Sequence, residues 1–138
     1  MTESDLSPQE ALVYIMLLVS AADRDMTDAE FIRIGTMVHN LPIFRDFDDE
    51  WLIPIAERCA GELDRDDGLD HVLAMSVAAL PERLYETAYA LSLEVAAADL
   101  DVKAEEIRIL EMIRDELNLD RLNAAAIERG VRARHMTV

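Results

Sequence analysis

One stretch of this chain, residues 21–41, occurs a second time at residues 97–117, an offset of 76 (97 − 21). Ala21, Ala22, Asp23, Asp25, Glu30 and Leu41 return as Ala97, Ala98, Asp99, Asp101, Glu106 and Leu117. The identities cluster as two small residues, Asp-x-Asp, and a Glu five residues after the second Asp. Apolar positions follow the same offset: Leu17 and Val19 with Leu93 and Val95, Phe31 and Ile34 with Ile107 and Leu110. An internal repeat fixes an architecture before any single element is placed. The repeated unit reads as an apolar helix, a short acidic turn and an amphipathic helix, over residues 8–41 and 84–117.

The rest of the chain fits around that unit. Ser7, Pro8 and Glu10 spell a helix start, with a cap, a first-turn proline and the Glu of a capping box. Residues 11–22 are apolar nearly all round, which marks a buried helix rather than an amphipathic one. After the first acidic turn, Thr27 caps a second helix with Glu30 as its box partner. Phe31, Ile34, Val38 and Leu41 form its apolar stripe, and Pro42 ends it. A third helix is expected from Asp48 or Asp49 through Trp51, Leu52, Ile55 and Ala56, with Pro54 in its first turn or at a kink. The polar break 64–68 precedes a fourth helix ending near Leu80. Pro81 opens the fifth, the sixth carries Ile107, Leu110, Ile113 and Leu117 after the second acidic turn, and a last helix follows Asp120 to about Arg132. The expected fold is all-α, about seven helices in one domain over residues 1–138, a duplicated helix-turn-helix bundle.

The residues Ala22-Asp23-Arg24-Asp25-Met26-Thr27-Asp28-Ala29-Glu30 and Ala98-Asp99-Leu100-Asp101-Val102-Lys103-Ala104-Glu105-Glu106, with the Leu80-Pro81-Glu82 helix start, carry a family resemblance. The chain resembles the TerB-like (tellurite resistance) family, whose members hold two copies of an Ala-Ala-Asp-Gly-x-(Ile/Val)-x-x-x-Glu turn. The resemblance covers most of the chain. It implies an all-helical duplicated domain and a stress-response role, but no reaction. This sequence departs from the pattern at one place in each copy: the family's glycine is Arg24 in the first and Leu100 in the second.

Charge narrows the function classes. The net charge is −16. Nucleic-acid binding rests on Lys and Arg neutralising phosphates, and anionic lipid attracts basic segments, so neither partner is expected. Cations and proteins with a basic surface are. Cys59 is the only cysteine, which excludes a disulfide framework and a Cys-x-x-Cys pair. Residues 1–5 lack the basic start of a signal peptide, and the longest apolar run, 11–19, is too short to cross a bilayer. A cytoplasmic protein without membrane insertion is expected. No Ser-His-Asp or Cys-His arrangement and no glycine-rich phosphate loop is found. The expectation is a non-enzymatic protein with no catalytic and no cofactor-binding residues.

The acidic turns are the candidate site. Hard cations such as calcium and magnesium take several carboxylate and carbonyl oxygens. Alternate positions of a turn can aim those oxygens at one point. Asp23, Asp25, Thr27 and Glu30 in the first copy, and Asp99, Asp101 and Glu106 in the second, are therefore candidate ligands of a divalent cation, calcium or magnesium. The loop is not an EF-hand, which needs Gly at its sixth position and Glu at its twelfth. The competing reading is a plain capping box with solvated aspartates. In the second turn Lys103 replaces Thr27, removing an oxygen and adding a cation, so the first turn should bind more tightly. Direct tellurite chemistry is physically unattractive for a strongly anionic chain with one thiol. Two functions follow: a divalent-cation-binding module acting in a stress-response complex, or a metal-independent acidic interaction domain. Asp46, Asp48, Asp49 and Glu50 beside Trp51 offer a docking rim for the second.

Overall fold

The computed structural model describes residues 6–22, 28–97 and 103–138. Among them stand seven α-helices and no strand: α1 (Pro8–Ala21), α2 (Asp28–Asn40), α3 (Leu52–Leu63), α4 (Gly68–Ala78), α5 (Tyr85–Ala96), α6 (Ala104–Glu116) and α7 (Arg121–Arg134). The expected all-α class and helix count are therefore correct.

The core forms around α1. Every residue from Ala11 to Ser20 is buried, as an all-round apolar helix must be. Helices α2, α3, α4, α5 and α6 all pack against it. Each fully buried leucine or isoleucine of α1, such as Leu12, Ile15 and Leu18, contributes roughly 1.5–3 kcal/mol over an exposed one. The start of α1 is fixed by a complete capping box. Ser7 Oγ accepts the Glu10 N–H at 3.1 Å, and Glu10 Oε1 accepts the Ser7 N–H at 2.9 Å. The other Glu10 oxygen takes Arg58 at 2.9 Å, tying α1 to α3.

Helices α2 and α6 begin and end 76 residues apart, at Asp28 and Ala104 and at Asn40 and Glu116. Each buries the Glu at its third position, and each buries Ile34 or its counterpart Leu110. The offset read in the residues thus recurs in the element boundaries. Pro42 ends α2, and a 3₁₀ turn, Pro42–Phe44, follows where the sequence suggests only a loop. Gln9 Nε2 holds that turn by donating to the carbonyls of Ile43 at 3.0 Å and Arg45 at 3.2 Å.

Three sequence expectations shift. Asp48 caps a 3₁₀ turn, Asp49–Trp51, through Oδ1 and the Glu50 N–H, not the third helix itself. Helix α3 starts one residue after Trp51. Pro54 therefore lies in its first turn, where its missing N–H has no intrahelical partner to lose. Pro81 likewise precedes a 3₁₀ turn, Glu82–Leu84, before α5 begins. The tight break between α3 and α4 depends on Gly68. A Cβ there would meet the Leu63 carbonyl oxygen at 2.1 Å.

Candidate functional site

Of the seven candidate ligands, Asp23, Asp25, Thr27, Asp99 and Asp101 lie outside the described residues. Glu30 and Glu106 lie within them. Each occupies the third position of its helix, α2 and α6, and each is 1% exposed. Acidic residues in a first helical turn favour the positive end of the macrodipole, but full burial is unusual for Glu.

The Glu106 geometry is half a capping box. Its Oε1 accepts the Lys103 backbone N–H at 3.2 Å. The reciprocal bond requires an acceptor at position 103, and a lysine ammonium has none. The second carboxyl oxygen, Oε2, is buried and has no hydrogen-bond partner. A buried polar atom left without a partner is destabilising. Next to the second acidic turn, a hard cation would satisfy it, so this donor fits a calcium or magnesium ligand set. Among the described residues alone, no three His, Cys, Asp or Glu side chains converge as a metal site. Any such site requires the aspartates of the turns.

Each of the other acidic clusters has one of its aspartates paired locally, Asp67 with Arg65 and Asp49 with His39. Arg65 bridges Glu62 at 3.5 Å and Asp67 at 3.6 Å, in agreement with a solvated break. His39 Nδ1 pairs with Asp49 at 2.9 Å on the surface. Trp51 is half exposed, its ring edge-on to Phe47 with centroids 5.2 Å apart. It is therefore not the core residue its helical spacing suggests. Phe47 in turn meets Phe44 edge to face, with centroids 5.6 Å apart, and the exposed residues Asp48, Asp49 and Glu50 directly precede Trp51 in the chain.

Cys59 is buried, as expected of a small apolar residue. Burial pushes its thiol up to about 12, so it stays protonated at neutral pH and is not a nucleophile. Tyr89 donates to Glu128, joining α5 to α7. Burial and that carboxylate raise its phenol further above the ordinary range.

One buried carboxylate escapes a reading of the turns. Glu94, on α5, is 5% exposed. It accepts from Arg134 and from His135 Nε2, the latter at 2.8 Å, and so clamps the end of α7. The repeat carried the signal for it. Glu94 stands 76 residues after Leu18, so a carboxylate occupies a place that the first copy fills with a core leucine.

Among the described residues no helix is long and apolar enough to cross a membrane. Comparison with family models, with curated proteins and with solved structures returns no match.

Proposed function

We propose that this chain is a TerB-like, non-enzymatic module that binds a divalent cation at its acidic turns and acts in a cytoplasmic stress-response complex. The observation that carries the cation reading is the Glu106 carboxyl: buried, committed through one oxygen, and without a partner at the other. Glu30 is equally buried at the same position of the first copy. The repeated Asp-x-Asp sequence supplies further carboxylates within a few residues of each. The net charge of −16 favours cation uptake over anion or phosphate binding. The family assignment rests on the two turn sequences, and tellurite itself has no binding role in it.

Titration at fixed ionic strength tests the reading. Calcium, magnesium and manganese are added in turn to the wild type and to an Asp23→Asn/Asp25→Asn variant, followed by melting and by amide NMR. A ligand bound by the folded state alone adds about 2.7 kcal/mol at a hundredfold excess over Kd. The expected result is a melting rise in the wild type only, with shifts in residues 22–31 before 98–107. An equal rise in both proteins is general screening and sinks the proposal.

The metal-independent reading draws on Trp51. A half-exposed indole that directly follows the exposed Asp48, Asp49 and Glu50 has the makings of an aromatic anchor with a charged rim. A basic protein partner that binds equally well under chelation, and loses affinity on Trp51→Ala, would favour it.

A further inference from the structure

Helices α2, α5 and α7 line a common groove of about 910 Å³. Its floor is apolar: Met37 from α2 and Leu41 just after it, Leu84 and Leu91 from α5 and the turn before it, Ile127 and Val131 from α7. Met37 and Leu91 are buried, and the other four are half-buried. Along α2, Arg33 and Met37 fall one turn apart on the same stripe. Along α7, Ile127, Val131 and Arg134 do the same, as i, i+4 and i+7 positions must. The volume is that of a small-molecule site, and so is the mixture of an apolar floor with a few polar groups.

Charge decides which small molecule. Glu94, Arg33 and Arg134 are the charged residues lining the groove. The Glu94 carboxylate is already engaged by Arg134 and His135. The Arg33 side chain makes no hydrogen bond or ion pair among the described residues. The uncommitted charge in this groove is therefore positive, on a chain whose net charge is −16. An arginine fork matches a carboxylate in shape as well as in sign. We propose that the groove binds a free, small apolar molecule with a single carboxylate head, an acyl or aryl carboxylate. Its tail lies on the Met37–Leu91–Val131 floor and its head pairs with Arg33. The binding is independent of the acidic turns and of any cation.

Three probes sharing one ten-carbon tail test this by amide NMR below micelle formation: decanoate, decanol and decyltrimethylammonium. Vesicles of phosphatidylglycerol are the membrane arm. Decanoate is expected to shift residues 33–43, 84–94 and 127–134 saturably, and decyltrimethylammonium is not, although the net charge attracts it everywhere else. The Arg33→Gln variant, altered at a partly exposed position, should weaken decanoate about tenfold and leave decanol unchanged. Ala90→Trp, which fills the groove, should abolish both. The proposal is overturned if decyltrimethylammonium binds the groove as tightly as decanoate, or if Arg33→Gln changes nothing. It is also overturned if decanoate shifts scatter or are absent, or if the groove answers to vesicles and not to the free acid. Should Ala90→Trp fail to fold, Arg33→Gln decides alone.

Discussion

The Lys103 backbone N–H is held at 3.2 Å by one oxygen of Glu106, while the other oxygen of the same buried carboxyl has no partner. The pair divides the role of Glu106 in two. One oxygen caps α6, and the other is the oxygen that the proposed cation would take. Glu106→Gln separates these roles. The amide oxygen can keep the cap, and a neutral amide is cheaper to bury than a carboxylate. In chelating buffer the variant should melt at or slightly above the wild type, by at most about 1 kcal/mol. With calcium or magnesium at fixed ionic strength, the shifts at residues 98–107 should vanish in the variant. A variant that responds to cation as the wild type does would remove Glu106 from the ligand set.

Glycine positions give the sharpest stability contrast. At Gly68 a Cβ would meet the Leu63 carbonyl oxygen at 2.1 Å, and the contact is backbone, which cannot swing away. Gly68→Ala should therefore cost about 2 kcal/mol or more as the α3–α4 turn opens. Gly35, inside α2, has nothing within 4 Å of the same built atom. Gly35→Ala should stabilise by about 0.5–1 kcal/mol through helix propensity. Urea denaturation of both variants tests the pair, and a loss of similar size at both positions would mean that the turn is looser than its geometry.

The helices were legible because their signals are local. Ser7 with Glu10, Pro42, Asp120 and the apolar run of α1 each fix an end or a face through neighbouring residues. The 76-residue offset tied the two halves together, and α2 and α6 keep it at both ends. What the sequence did not disclose depends on tertiary contacts. Trp51 shares its helical spacing with core residues, yet the 3₁₀ turn Asp49–Trp51 rotates it outward to half exposure. Glu94 reads as one charge among many until α7 brings Arg134 and His135 to it, 40 and 41 residues along the chain. Of the candidate site, only Glu30 and Glu106 fall within the described residues. Their burial has no local signature, since a capping-box Glu is ordinarily a surface residue.

Glu10 gives the fold a pH dependence of definite sign. Partial burial raises its carboxyl, but the Ser7 N–H and the Arg58 guanidinium outweigh that and hold it below its ordinary value of 4.5. A carboxylate depressed in the folded state binds its proton more readily in the unfolded one. Its contribution is full above the unfolded value and is lost as pH falls through the folded one. The stability gap between wild type and Glu10→Gln should therefore be constant at neutral pH and close below about pH 4.5. Urea midpoints measured across that range check it. A gap that widens on acidification would contradict the assigned sign.

The clamp on α7 is testable as a coupled pair. Glu94 is buried at a position where the first repeat has Leu18, and among the described residues Arg134 and His135 are the partners that offset its burial. Helix α7 buries little else, with Ala124 its one fully buried side chain. Removing residues 134–138 takes away both partners and leaves a buried carboxylate uncompensated, which should cost about 1–3 kcal/mol. Glu94→Leu restores the residue type of the first repeat. Replacing a buried ion pair by an apolar group is often neutral or stabilising, so this variant should fold about as well as the wild type. The truncation made in the Glu94→Leu background should then cost less than half of what it costs in the wild type, because no charge is left to strand. A double-mutant cycle on the four proteins measures the coupling. If the truncation costs the same in both backgrounds, the end of α7 is held by its apolar stripe, Ile127 and Val131, and the Glu94 clamp contributes nothing of its own.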